Sequence, residues 1–289
     1  MSWRSYRHRF VPWLLANWTS QAVRRTNQSV DERLVIASSI VDEVSTVCSM
    51  LEKIEKDSYH QCPNQCGDSG CRHRMSGHGK YGPACALYHR SRPVIQFCRG
   101  FALAVRQSSL ANAGRGVFLN DGIIRKGQLV AMYPGTVYQS FQPIFFQSLG
   151  NPFILRCVDG VLVDGSLSRL STSIFRSCWH RDRLGPDFLA DSSWLTAYTI
   201  NPLSIGQIVN NGTKDNPANV SYEEADLLVK FPPAHRRYIP NLNYEPLCCS
   251  PGEETDMTRV WVRIVGLVAS RDISAGEEIL SSYMTLVSE

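Results

Sequence analysis

The sequence predicts an α+β fold that is mostly β, preceded by a helical N-terminal region. Three observations carry this reading. Leu34, Ile36, Ile40, Val41, Val44, Val47, Cys48, Leu51 and Ile54 recur at helical spacing. From Phe101 onward the chain changes to short β-branched and aromatic runs separated by turns containing Gly, Pro and Asn. Near the end come an apolar run from Val260 to Ala269, the turn Arg271-Asp272-Ile273-Ser274-Ala275, and Gly276-Glu277-Glu278-Ile279-Leu280-Ser281-Ser282-Tyr283, with six residues left after it.

Taken in order, Ser29 followed by Glu32 reads as a capping box that opens a helix running to about Lys56. Its apolar stripe reads as a face docked on the main domain, in preference to a dimerisation face. Between Tyr59 and Arg92 the composition shifts to Gly, Cys, His and basic residues, the mark of a linker or an inserted module. Phe101–Val105, Val117–Leu119, Gln128–Tyr133, Phe153–Val158 and Val161–Val163 then read as strands. Gly127 and Gly276 occupy equivalent places in two similar turns, where a tight connection between strands needs positive φ. Ser166 to Thr199, and Phe231 to Met257 with five prolines, show little strand character and read as long loops. The chain therefore divides into a helical region at 1–58, a Cys/His/Gly-rich linker or insert at 59–100, the main domain at 101–284 and a short tail at 285–289.

Composition narrows the function. A chain of 289 residues that is 43% hydrophobic and 19% charged has ample core material. A net charge of +4, with no dense basic stripe beyond the first 25 residues, argues against direct nucleic-acid binding. No apolar run reaches the roughly 18 residues of a membrane span. The ten cysteines sit in a chain too long to need a disulfide framework, and no secretory signal precedes them, so a reducing intracellular compartment is expected. Residues 1–25 carry five arginines and no acid, with Trp3, Phe10, Trp13, Leu14, Leu15 and Trp18 among them. That pattern fits a mitochondrial presequence or a basic helix packed on the domain, which leaves mitochondrion against nucleus or cytosol open.

Four short motifs follow in fixed order: Gly114-Arg115-Gly116, Tyr133-Pro134-Gly135, Asn210-Asn211 and Tyr283. Singly, each is an ordinary turn or core feature. Gly114 and Gly116 let a ligand approach the backbone closely, but the strand-like Val117-Phe118-Leu119 after them excludes a dinucleotide fingerprint, which opens a helix. A Tyr at the end of a buried strand has one polar atom to place, its hydroxyl.

Together, and in this order, the motifs resemble the SET domain over Phe101 to Met284. Ala113–Phe118 with Ile124-Arg125-Lys126-Gly127 matches the family's opening, and Val265–Glu278 its closing strand and turn. The resemblance implies a knot-like fold of short β-sheets and protein-lysine N-methyltransferase activity with S-adenosyl-L-methionine as cofactor. It also implies roles for individual residues. The backbone at Arg115, Gly116 and Val117 contacts the methionine part of the cofactor, Asn210 contacts the cofactor as well, and the backbone after it, from Asn211, holds adenine. Tyr133 lines the junction with the substrate, and Tyr283 points its hydroxyl at the reacting centre beside the cofactor. The implied partner is a protein presenting a lysine, and no metal is implied. Methyl transfer to an amine needs aligned reactants and a neutral lysine rather than a nucleophilic side chain. The family's Asn motif usually runs Arg-Phe-Ile-Asn-His-Ser-Cys, whereas this chain has Gln207-Ile208-Val209-Asn210-Asn211-Gly212-Thr213, and Ser282 stands where an acid usually precedes the Tyr. A catalytically degenerate SET-like protein-interaction module is therefore the alternative.

Two further features compete with blander readings. His60, Cys62, Cys66, Cys71, His73, His78, Cys85, His89 and Cys98 could close a zinc site, but no Cys-x-x-Cys pair occurs and a loop with free thiols is preferred. Arg169, Arg176, His180, Arg181 and Arg183 could grip an acidic partner, although Asp182, Asp187 and Asp191 between them also fit a solvated charged loop.

Overall fold

Strands this short cannot bury much surface alone, so they stack in two sheets that share a core with one long helix. A computed structural model of the chain describes residues 6–8, 30–60, 83–184, 187–227, 231–245, 262–282 and 284–286. The N-terminal elements are β1 (Tyr6–His8), α1 (Val30–His60) and α2 (Pro83–Arg99). Then come β2 (Phe101–Gln107), β3 (Arg115–Ile124), β4 (Leu129–Met132), β5 (Gly135–Tyr138), α3 (Phe145–Ser148), β6 (Ile154–Arg156) and β7 (Leu162–Asp164). The middle holds α4 (Arg169–Arg181), β8 (Arg183–Leu184), β9 (Asp187–Phe188), β10 (Asn210–Asn211), β11 (Val220–Leu227), α5 (Pro233–Arg236) and β12 (Asn241–Asn243). The chain closes with β13 (Val262–Ala269), β14 (Ile273–Ser274), β15 (Glu278–Ser281) and β16 (Met284–Leu286).

The larger sheet has eight strands in the order β14-β3-β15-β11-β13-β4, with β2 also on β3 and β10 also on β15. A second sheet runs β12-β5-β7-β6, and β8 with β9 and β1 with β16 form separate pairs. β13 lies between β11 and β4, and all eight of its residues are buried, which explains a sequence that is apolar except for Arg263, a residue paired with Asp159 and Asp226. α1 covers this sheet through Ile40, Val44, Val47, Cys48 and Leu51, as its helical spacing predicts. The approach is close: a Cβ on Gly266 of β13 would lie 2.8 Å from Leu129 and 3.4 Å from Ile40. Two carboxylates on α1 fix its position. Glu43 accepts from the Arg99 guanidinium and, at 3.0 Å, from the Leu129 N–H. Glu55 accepts from Tyr238 Oη at 2.5 Å and from Arg237 at 3.1 Å.

The strand expectations are met to within a few residues, and Gly127 and Gly276 both take positive φ, 84° and 92°. Four expectations change. Residues 83–99 of the predicted linker or insert form α2, and Leu87, Ser91 and Ile95 are buried among its described side chains. Within the predicted Ser166–Thr199 loop lies α4, which buries only Ser171, Phe175 and Cys178. Asn210-Asn211 is a strand rather than a turn. Residues 285 and 286 of the predicted tail belong to β16. The basic N-terminal segment, apart from Tyr6–His8, and the Cys/His stretch at 61–82 lie outside the described residues, as do Cys248 and Cys249. Among the described residues no helix is long and apolar enough to cross a membrane.

Truncating Leu51, which is fully buried under α1, leaves a cavity at the helix–sheet junction. Leu51→Ala is expected to cost about 2–5 kcal/mol in chemical denaturation, whereas a merely peripheral helix would lose far less. A buried carboxyl gives a second measurable effect. Asp191 accepts the Ser193 N–H at 2.7 Å, but burial dominates and pushes its pKa up from 3.8 to about 6. The folded state thus holds this proton more tightly than the unfolded chain. Stability from Asp191 is complete below pH 4 and is lost as pH rises from about 4 to about 6, by roughly 3 kcal/mol. In Asp191→Asn, thermal melts are expected to lack this component of the pH dependence over that window.

Candidate functional site

Three distant stretches meet at β15. On one edge β15 pairs antiparallel with β3, Ile279 facing Val117 and Glu278 facing Phe118. On the other edge it pairs in parallel with β10, Asn210 facing Leu280 and Asn211 facing Ser281. Asn219 acts as a side-chain partner for the same strand. Its N–H donates to the Leu280 carbonyl, its Oδ1 accepts the Leu280 N–H, and its Nδ2 donates to the Glu278 carbonyl, each at 2.8 Å. Ser281 Oγ sits 2.9 Å from Tyr222 Oη, and the Gly212 N–H donates to the Ser281 carbonyl at 2.8 Å.

The Glu278 carboxylate is the hub. It accepts from Ser108 Oγ at 2.7 Å, from the Ser109 N–H at 2.8 Å and hydroxyl at 2.5 Å, and from Asn210 Nδ2 at 3.2 Å. Burial alone would push its pKa up, yet the bonds from Ser109, Ser108 and Asn210 outweigh that and hold it below the usual Glu value. Gly116 makes room for the hub, because a Cβ there would lie 2.1 Å from Glu278 Oε1. Asn210 Nδ2 also donates to the Arg115 carbonyl at 3.0 Å. The Asn210 carboxamide oxygen has no protein donor among the described residues and is partly open to solvent.

The structure therefore brings Arg115, Gly116, Val117, Asn210 and Asn211 together at one end of β15. Arg115 and Asn211 are exposed, whereas Val117 is fully buried between β2 and β15. Tyr133 differs from a ring lining an open site. It is buried, its hydroxyl donates to the Phe153 carbonyl at 2.8 Å, and its ring meets Tyr222 edge-on at 6.4 Å. It is linked to the site through Tyr222 and Ser281. Tyr283 lies outside the described residues, between Ser282 and β16.

Sequence reasoning did not assign roles to Ser108, Ser109, Asn219, Tyr222 or Glu278. Glu277-Glu278 was visible, but nothing local shows that the second acid faces inward onto serines 169 and 170 positions away. One group with metal-ligand chemistry, Cys157, Asp159 and Glu224, lies elsewhere. There the Arg263 guanidinium already stands 2.7 Å from Asp159, 2.6 Å from Asp226 and 3.7 Å from Glu224, supplying the positive charge the acids require.

The strand that carries Glu278 is thus pinned between β3 and the Asn-bearing β10, within an α+β fold. No protein-family model matches the chain. It is 38% identical over 305 residues to SET domain-containing protein 9 of Homo sapiens, covering 99% of this chain and 96% of the human one. It is 51% identical over 189 residues to SET domain-containing protein 9 of Pongo abelii, covering 65% of this chain and 66% of that protein. The chain belongs to the SET domain-containing protein 9 family. Among solved structures it is similar to CpSET8 from Cryptosporidium, at 14% identity and a TM-score of 0.32, covering 72% of this chain and 69% of that one. It is also similar to the Neurospora SET domain protein DIM-5, a histone lysine methyltransferase, at 15% identity and a TM-score of 0.29, covering 69% and 58%.

Gly116→Ala is expected to displace the Glu278 carboxylate and destabilise the domain by about 1–3 kcal/mol, read as a lower midpoint in urea. Ser109→Ala, which removes one hydroxyl donor and leaves the N–H, is expected to cost about 1 kcal/mol. Equal and negligible effects of both would mean that Glu278 does not hold these strands.

Proposed function

We propose that this protein is a protein-lysine N-methyltransferase that uses S-adenosyl-L-methionine. The observation that supports this most is the meeting of Arg115, Asn210 and Glu278 beside β15, which ends at Ser281, two residues before Tyr283. The donor set suits the methionine end of that cofactor. Glu278 is ionised, and the Asn210 carboxamide oxygen is an open acceptor; both favour a cationic ammonium. The exposed guanidinium of Arg115 is the complementary group for a carboxylate. Tyr133 and Tyr222 then act as positioning residues, their rings packed behind Ser281.

The cofactor supplies an electrophilic methyl carried on a sulfonium. The chain's part is alignment and control of one proton. A lysine with a solution pKa near 10.4 needs about 4–5 kcal/mol to be presented neutral at pH 7. An apolar setting beside a positive charge lowers that cost, since both disfavour the ammonium form. The Tyr283 hydroxyl is assigned to accept from the neutral amine and so aim its lone pair. As the N–C bond forms and the S–C bond breaks, the amine is left with a proton that it releases to solvent.

One observation favours a second reading. The Asn210 amide nitrogen donates to groups of the protein itself, the Arg115 carbonyl and Glu278, which suits a degenerate domain that keeps the fold and serves as a protein-interaction module.

Titration calorimetry with S-adenosyl-L-methionine separates the two. The full chain is expected to bind it, and Asn210→Ala to bind it about tenfold more weakly, the scale of one lost polar contact. Methylation of protein extracts, read by mass spectrometry, is expected to fall about a hundredfold in Tyr283→Phe with cofactor binding retained. Absence of cofactor binding would leave the interaction module standing, and undiminished turnover by Tyr283→Phe would remove Tyr283 from its assigned role.

A further inference from the structure

The second sheet carries an outer face that the methyl-transfer reading does not use. Of the eleven large apolar side chains that stand exposed among the described residues, seven fall within residues 141–170. Phe141 is 77% and Phe146 71% exposed; Phe145, packed against Phe146, and Leu149 and Leu170 are exposed as well. A patch of this density on one short stretch is uncommon on a soluble surface and marks a contact site. The face is also rigidly backed. Ile144 and Ser148 of the α3 region are buried, and the Ser148 N–H donates to the Ile144 carbonyl at 2.9 Å. Asn151 Nδ2, just past α3, donates to the Asp164 carboxylate at 2.9 Å and to Ser171 Oγ at 3.2 Å, tying α3 to β7 and to the first turn of α4. Phe145 and Phe146 pack edge-on at 5.3 Å. The rings are therefore held outward by a fixed frame, which limits the ordering cost of binding.

Charge narrows the occupant. Arg169 and Arg176 are seven residues apart, two turns along the exposed side of α4, with Leu170 on the shoulder next to them. Neither pairs with a carboxylate among the described residues. The nearby acids are committed elsewhere: Asp164 points inward to Ser171 and Asn151, Asp159 pairs with Arg263, and Asp182 pairs with Arg181. Aromatic rings fringed by unneutralised arginines are the composition of binding hot spots. A second copy of this chain would set arginine against arginine across a two-fold axis, and two cations are few for an anionic bilayer. We propose that this face docks a partner protein through a segment that combines bulky apolar residues with acidic ones.

The test uses the full chain and a displayed library of random short peptides. Enriched peptides are expected to combine Phe, Trp or Leu with Asp or Glu. By fluorescence polarisation, Phe146→Ser is expected to weaken their binding about tenfold or more, and so is the double variant Arg169→Glu with Arg176→Glu. Replacing the peptide's acids by Lys is expected to abolish binding to the unaltered chain and to restore it to the charge-reversed variant. All substituted positions are exposed, so thermal melts of the variants are expected to match that of the parent. Enriched peptides without acids, binding indifferent to both variants, or no enrichment would overturn the proposal. So would Phe146-dependent binding to phosphatidylserine vesicles, or Phe146-dependent self-association, either of which assigns the face to another occupant.

Discussion

Glu278 accepts hydrogen bonds from Ser108, Ser109 and Asn210, and so ties the strand that ends the domain to segments from its beginning and its middle. The constraint is physical before it is functional. A carboxylate this enclosed is tolerable only with several donors aimed at it, and those donors come from stretches that share no local sequence. Gly116 is part of the same constraint, because the hub occupies the space that a side chain would need there. Everything proposed about cofactor and lysine depends on these strands staying in register.

The rest of the domain serves that register. α1 closes one face of the larger sheet and is fixed at two places by carboxylates, through Glu43 to Arg99 and Leu129 and through Glu55 to Tyr238 and Arg237. β4, which pairs with β13, is held at Leu129 by this helix and passes directly into Tyr133. Tyr133 then bonds the carbonyl of Phe153, the residue before β6 of the second sheet, and meets Tyr222 of the first. The residue singled out as a site component thus works as a mechanical link between the two sheets.

What the sequence made legible follows a simple rule. Features that depend on neighbours along the chain were visible: the helical stripe of α1, the apolar run of β13, and the glycines at 127 and 276. Features that depend on remote partners were not. Glu278 looks like any acid of a charged turn until Ser108 and Ser109 are placed against it. α4 escaped because it buries a stripe one side chain wide, in which Ser171 takes a place that an apolar residue would mark. The motif positions 115–117 and 210–211 were legible through family resemblance, and the fold does bring them together. The role expected of Tyr133 was less so, since sequence does not show that its hydroxyl already has a carbonyl to bond.

The pairing of β1 with β16 sets Tyr6 against Leu286, Arg7 against Thr285 and His8 against Met284. Residues 6–8 and 284–286 lie nearly the whole described chain apart, so closing that loop carries a large entropy cost until nearer pairings have shortened it, and this ladder forms on a domain whose other strands are already in place.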